Sequence, residues 1–346
     1  VPAVPAPAPT PAPAAPPETH EAPAAPGRSS GPSPVGMFAS RFAVIGVWLA
    51  LIAVYGVLRP DTFLTTGTFQ TIFGSQLALV FLTAALLCTI CVGEFVDLSV
   101  ASVLGLSATL LPVLVVDHGW NVWAASVAAV AAGALVGAVN GFLVVRLGVN
   151  TIVVTLGMGT LLLGVALWMT NLTAKSGLPR EFGEVSLYRV AGLPLGFYWG
   201  LALMLVFGYV LAVTPLGRNM RFVGANREVS RLAGVRVDRI RFGAFVAAGT
   251  ICGLGGVLAA AAVGGFDPTT SQSYLLPTFA ATFLGTAVLQ PGRFNPLGTL
   301  IAVYFLATGI LGLNLLGYTG WVTSVFYGGV LVVAVTVSSL LHRRAG

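Results

Sequence analysis

Apolar residues in this chain run in long blocks separated by short polar breaks. From Phe42 onward the blocks fall at about 42–58, 77–92, 99–116, 122–145, 151–169, 197–214, 242–263, 275–289, 297–316 and 321–341. Blocks apolar on all sides predict helices surrounded by protein or lipid. Several are shorter than the roughly 20 residues that a bilayer crossing requires. Those must be tilted, broken or extended by their polar flanks. The expected fold is all-α, a polytopic membrane protein with about ten transmembrane helices.

Composition supports this reading. The chain is 56% hydrophobic and only 8% charged, with a mean hydropathy of +0.93. That is more apolar material than a soluble core of this length uses. The net charge of +6 does not indicate nucleic acid, because the basic residues flank apolar blocks instead of clustering with exposed aromatics. They report orientation. With both ends inside and alternating spans, thirteen Lys and Arg residues fall inside and four, Arg59, Lys175, Arg180 and Arg189, outside. This asymmetry predicts N-terminal and C-terminal ends in the cytoplasm. Trp120, Trp123, Tyr198, Trp199 and Trp321 lie near span ends, as an interfacial belt requires.

Residues 1–36 hold twelve of the 21 prolines, alternating with alanine. This composition favours extended polyproline and offers no apolar face, so a disordered cytosolic tail is expected before a membrane domain over 37–346. The stretch lacks the charged start and apolar centre of a signal peptide. The first residue is not methionine, which points to a processed or misread start. Cys88, Cys91 and Cys252 lie within apolar blocks and read as buried structural thiols. His20, His118 and His342 lie outside the spans, which excludes intramembrane histidine-based hydrolysis. The spacings Gly133/Gly137 and Gly253/Gly256 allow close helix contact.

Two stretches carry candidate chemistry. The first is the loop 215–241, with seven arginines, Arg218, Arg221, Arg227, Arg231, Arg236, Arg239 and Arg241, against Glu228 and Asp238. Asn226 suits a helix N-cap and Gly234 a left-handed ending, leaving about two helical turns between them. Val229, Leu232 and Ala233 share an apolar face, while Arg227, Ser230 and Arg231 point elsewhere. The loop reads either as an arginine-rich topology anchor or as a docking element. Lys175, the only lysine, follows Ala174, so no phosphate-binding P-loop exists here. ATP-driven transport would therefore need an ATPase on another polypeptide.

The second stretch runs from Gly93 to Ser102, with Glu94 and Asp97 between two short apolar blocks. Acids at that depth are costly without water or partners. Three readings remain open: Asp97 as a helix cap with Glu94 at the surface, a broken helix lining a polar path, and a proton-coupled carboxylate. Asn140, Thr155 and Asn314 are polar residues within spans and suit interhelical hydrogen bonds. The long outer connection 170–196 offers a landing place for a soluble partner.

Together these residues resemble the permease subunits of bacterial ABC importers for monosaccharides, of the ribose, xylose, arabinose and galactose type. The resemblance covers about 42–341. It is carried by Asp97-Leu98-Ser99-Val100-Ala101-Ser102, Asn140-Gly141 and Thr155-Leu156-Gly157. In the loop it is carried by Gly217-Arg218, Gly224, Asn226, Arg231-Leu232 and Gly234. The chain departs from the family pattern at Glu94, Ala101 and the run from Gly285 to Phe294.

The resemblance implies a ten-span subunit of a homodimer or pseudo-dimer in the bacterial inner membrane. Cytosolic ABC ATPase subunits would hold ATP and magnesium, and this chain would bind no cofactor or metal. An extracytoplasmic solute-binding protein would deliver a small hydroxylated solute, a monosaccharide. Lipid would be its other partner, and nucleic acid none. Arg218, Gly224, Asn226, Val229, Arg231, Leu232 and Gly234 would couple to the ATPase. Glu94, Asp97, Ser99, Asn140 and Thr155 become candidates for the solute path. The alternatives are a proton-coupled secondary transporter using Glu94 and Asp97, and a membrane enzyme binding a metal-phosphate headgroup on the same pair.

Overall fold

The structure, a computed structural model, describes residues 34–345, with side chains over 42–336. The proline-alanine tail expected over 1–36 lies outside the described residues except for its last three, which begin the first helix. All ten apolar blocks contain helix. They form α1 (Pro34–Leu58), α2 (Thr66–Gly74) running into α3 (Leu77–Ile90), α4 (Val100–Pro112), α5 (Val122–Gly141) and α6 (Thr151–Met169). After the long connection, which contains α7 (Arg180–Leu187), come α8 (Leu195–Val213), α9 (Pro215–Ala225), α10 (Arg227–Leu232) and α11 (Val237–Val263). The last are α12 (Leu275–Leu284), α13 (Pro296–Leu315) and α14 (Trp321–Ala345).

Helices dominate because a chain in lipid must satisfy its own backbone groups. Their ends follow the sequence. Asn121, Asn150 and Asn295 each turn a side-chain oxygen onto a first-turn N–H of α5, α6 and α13. Gly264 adopts φ +74° and ends α11. Pro112 has no N–H to give, and α4 continues as a π turn over Val113–Asp117.

Helix α3 is the axis of the molecule, and all fourteen of its residues are buried. Helix α11 packs along α3, α4 and α5. Its contact with α5 depends on glycine. A Cβ at Gly137 would strike the carbonyl oxygen of Phe245, and one at Gly249 that of Gly133. The close approach expected of Gly133 and Gly137 is therefore made against Gly249 and Gly253. Gly256 faces the backbone of α4 at Leu104 and Ala108.

Among the described residues, seven helical stretches are long and apolar enough to cross a membrane, with α2 and α3 counted together as Thr66–Ile90. The block expected as a span at 275–289 is a correction. Its helix α12 has ten residues, a rise of about 15 Å, or half the apolar thickness of a bilayer. The chain before it, from Gly264 to Tyr274, is an extended segment and a single helical turn. It starts with a short strand, Gly265–Phe266, which pairs antiparallel with Lys175–Ser176 of the long connection.

The linker between α3 and α4 has a counterpart between α12 and α13. Gly93-Glu94-Phe95-Val96-Asp97-Leu98 stands against Gly292-Arg293-Phe294-Asn295-Pro296-Leu297. A side chain fixes the chain just before each following helix: Asp97 accepts from the Ser99 N–H ahead of α4, and Asn295 caps α13 through the Gly298 N–H. The Phe95 and Phe294 rings lie 6.3 Å apart.

Candidate functional site

The loop 215–241 forms two short helices with readable local causes. Thr214 caps α9 through the Gly217 N–H, and Pro215 starts the helix where no N–H is required. Gly217 admits a tight return, since a Cβ there would strike the α8 carbonyl of Val210. Asn226 then caps α10, its Oδ1 accepting from the Val229 N–H at 3.1 Å. Gly234 adopts φ +79°, as a left-handed ending requires. The Ser230 side chain is buried and donates to the Asn226 carbonyl, so α10 presents Val229, Leu232 and Ala233 outward. Leu232 is 88% exposed, although it lies outside any apolar span. Arg218 on α9 and Arg231 on α10 are exposed, and Arg231 makes loose ion pairs with Glu228 at 3.9 Å and Asp238 at 3.6 Å.

What holds this loop to the membrane body is Glu94. Its Oε1 accepts from Arg227 Nη2 at 2.7 Å, Arg241 Nη2 at 2.6 Å and Arg241 Nε at 2.8 Å. Its Oε2 accepts from the Thr151 hydroxyl at 2.6 Å. Glu94 is 5% exposed, Arg241 12% and Arg227 40%. One carboxylate therefore joins the α3–α4 linker, the first turns of α6 and α10, and the first turns of α11. Arg227 also donates to the Gly93 carbonyl. Gly93 adopts φ +83°, and Gly224 lies against the Cys91 carbonyl, where a side chain would clash. The Gly224 position is thus explained by contact with the linker.

The other four proposed path residues converge a few ångströms further in. Asp97 Oδ1 accepts from the Ser99 N–H at 3.0 Å and the Ser99 hydroxyl at 2.6 Å. Asn140 of α5 donates to Ser99 Oγ at 2.9 Å, and Thr155 of α6 accepts from the Leu98 N–H at 3.1 Å. All four are buried. Asp97, Ser99 and Asn140 border a cavity of about 10 Å³, room for one water molecule, while Thr155 stands apart from it on the Leu98 N–H. The buried Asn140 Oδ1 has no hydrogen-bond partner among the described residues. This cluster aligns the start of α4 with α5 and α6, with Asp97 holding Ser99 just before the helix. Glu94 takes no part in it.

Sequence reasoning missed Arg241 and Thr151 as the other partners of Glu94. Arg241 offered a signal, as the last arginine before an apolar block. It also passed over a cavity of about 750 Å³ on the face opposite the arginine-rich loop. Gln70, Thr71, Ser75, Ser186, Arg189 and Tyr274 supply its polar lining. The long connection is packed, not free. Phe182 of α7 stacks edge-on against Trp123 at 5.3 Å, and Ser186 donates to the Leu258 carbonyl. Arg180, Glu181 and Glu184 remain exposed on it.

An apolar helical body carrying a rigid charged loop on one face and a wide cavity on the other is the architecture of a transporter's membrane subunit. Residues 69–335 match the family described as the permease component of the branched-chain amino acid transport system, and the chain belongs to it. It is 30% identical over 311 residues to the L-arabinose ABC transporter permease protein of Azospirillum brasilense, covering 90% of each chain. It is 30% identical over 295 residues to the ribose import permease protein of Escherichia coli K12, covering 84% of this chain and 91% of the other. It is 33% identical over 312 residues to the autoinducer 2 import system permease protein of Klebsiella pneumoniae, covering 88% and 86%. No solved structure matches. The chain is thus a multi-pass permease component of a bacterial ABC importer, which works with ATPase and solute-binding partners.

Proposed function

We propose that this chain forms, as a homodimer, the path by which a monosaccharide enters a bacterial cell at the expense of ATP. The arginine-rich face is cytoplasmic, with both chain ends on that side, in keeping with the thirteen-to-four charge asymmetry. The 750 Å³ cavity then opens outward, toward the solute-binding protein. ATP and magnesium are held by the separate ATPase subunits, and no cofactor resides in this chain.

The observation that carries the proposal is α10. Its apolar side is exposed in water on the cytoplasmic face, and its root is fixed through Glu94 to the α3–α4 linker and to helices α6 and α11. A nucleotide-driven movement of an ATPase seated on Val229, Leu232 and Ala233 passes through that carboxylate to the α3–α4 linker. Gly224, Asn226 and Gly234 shape the element, while Arg218 and Arg231 add exposed positive charge to the loop. Asp97, Ser99, Asn140 and Thr155 keep the linker's other end aligned beside the path. The proton-coupled alternative is disfavoured because both carboxylates are engaged as acceptors in buried hydrogen bonds.

The test is uptake into proteoliposomes holding the permease with its ATPase and solute-binding protein, using labelled ribose, arabinose, allose and fructose. The proposal expects uptake of at least one sugar that requires ATP, the ATPase and the binding protein. Uptake driven by a proton gradient without ATPase would overturn it.

A further inference from the structure

The segment between α11 and α12 is polar: Phe266-Asp267-Pro268-Thr269-Thr270-Ser271-Gln272-Ser273-Tyr274. Sequence position makes it an outer loop, but its contacts place it much deeper. Leu98 and Ser99 bond Thr155 and Asn140, which lie four and six residues inside the cytoplasmic ends of their helices at Thr151 and Arg146. At about 1.5 Å per residue, the start of α4 is therefore about 6–9 Å inside those ends. Gln272 Nε2 donates to Ser102 Oγ at 2.8 Å, and Ser271 packs against Gly105 so closely that a Cβ there would clash. Gly105 is six residues beyond Ser99, about 9 Å further in. Ser271 therefore sits about 15–18 Å from the cytoplasmic ends, and the Gln272 contact with Ser102 about 11–14 Å, near the middle of an apolar core about 30 Å thick. The ten residues of α12 then cover the remaining half.

Around these two residues Thr269, Thr270, Gln272 and Ser273 are exposed, as is Asp267 nearer the outer end of the segment. Non-helical backbone and polar side chains at membrane depth are tolerated only inside protein or along water. The segment is also ordered from within, since Asp267 Oδ1 accepts from both the N–H and the hydroxyl of Thr269. The outer cavity borders both ends of it, at Val263 and Tyr274. On the cytoplasmic side, α12 leads from it to Phe283, whose ring meets Phe294 at 5.6 Å.

We propose that the Thr269–Ser273 turn is a solute subsite at mid-membrane depth, where Thr269, Thr270, Gln272 and Ser273 exchange hydrogen bonds with the hydroxyls of a passing polyhydroxylated solute. The subsite rests on the importer reading for its ligand, but not for its exposure to water. Hydroxyl and amide groups suit a neutral sugar: each donates and accepts, and none holds the solute by charge. A path needs such sites to be weak enough to release.

Two measurements test the subsite separately from the importer reading. In the reconstituted transporter, with Cys91 replaced by alanine, Thr270→Cys and Ser273→Cys should react with the impermeant reagent methanethiosulfonate ethylsulfonate. Val206→Cys, exposed on the apolar flank of α8, should not. Failure of Thr270→Cys and Ser273→Cys to react would mean that a second copy of the chain or lipid covers the segment, and would overturn the subsite whatever the importer carries. In the same system Thr270→Val, nearly isosteric, and Gln272→Leu should each lower sugar uptake about three- to tenfold, the loss of one solute hydrogen bond. Binding-protein-stimulated ATP hydrolysis should persist. Unchanged uptake in both variants would overturn solute contact. Absence of ATP-driven uptake by the native chain would instead count against the importer reading alone.

Discussion

Replacing Glu94 with glutamine should loosen the whole cytoplasmic face. The substitution keeps shape but removes the charge that two guanidinium groups share, raising the local net charge from +1 to +2. Arg241 is 12% exposed, so its charge is left nearly dry. Removing one partner of a buried pair costs about 3–5 kcal/mol. Arg227 is 40% exposed and rehydrates, which adds at most about 1 kcal/mol. A neutral carbonyl oxygen still accepts one of these bonds, so the net loss is about 2–4 kcal/mol. Thermal unfolding of the solubilised permease should then fall by about 4–8 °C at roughly 2 °C per kcal/mol. Coupled uptake should fall further than membrane abundance does, because α10 has lost its tie to the linker. The double variant Glu94→Gln with Arg241→Gln removes the stranded charge and should recover part of the loss, a favourable coupling that a cycle measures directly. A Glu94→Gln protein as stable as the native one, or strictly additive effects in the cycle, would refute the carboxylate as the clamp.

Three further outcomes follow from the same contacts. Asp97→Asn should keep substantial uptake, because an amide oxygen also accepts from the Ser99 N–H, and complete loss would return weight to proton coupling. Gly137→Leu should lower thermal stability sharply or abolish insertion, by more than the about 1–3 kcal/mol of ordinary overpacking, since it forces α5 off the Phe245 backbone. A Gly137→Leu protein with native melting would contradict that packing. Single cysteines at 180 and 318 should label from outside intact cells and one at 218 only after permeabilisation; outside labelling at 218 would reverse the orientation.

The parts that were legible in the sequence are those with local causes. Asn226 and Gly234 mark the ends of α10 by their own backbone needs, and the Gly133/Gly137 spacing marks a helix contact. Each of the ten apolar blocks holds helix, although one of them, at 275–289, is too short to span. What escaped was set by distant neighbours. Nothing local says which of seven arginines meets Glu94, and the answer, Arg227 with Arg241, depends on how α10 and α11 fold back over the linker. Of the candidate path residues, Asp97, Ser99 and Asn140 do meet, but in a cluster around one water-sized space, and Thr155 joins them only through the Leu98 N–H. The polar chain before Leu275 reads as an outer loop because composition carries no depth. Gly105 makes room for it inside the membrane body. The paired linkers at Gly93 and Gly292 share only glycine, phenylalanine and leucine in register, too little to align before their rings were seen to meet.

The central claim is that ATP energy enters through α10, and Leu232→Asp tests it most directly. The side chain is 88% exposed, so the change leaves the fold of the permease intact while placing a charge where an apolar groove of the ATPase must receive it. The measurement is co-purification of the ATPase with this variant from membranes, alongside ATP-driven uptake in vesicles. The account predicts normal permease abundance, lost or weakened ATPase association and a matching loss of uptake. Full association with native ATP-driven uptake would contradict it.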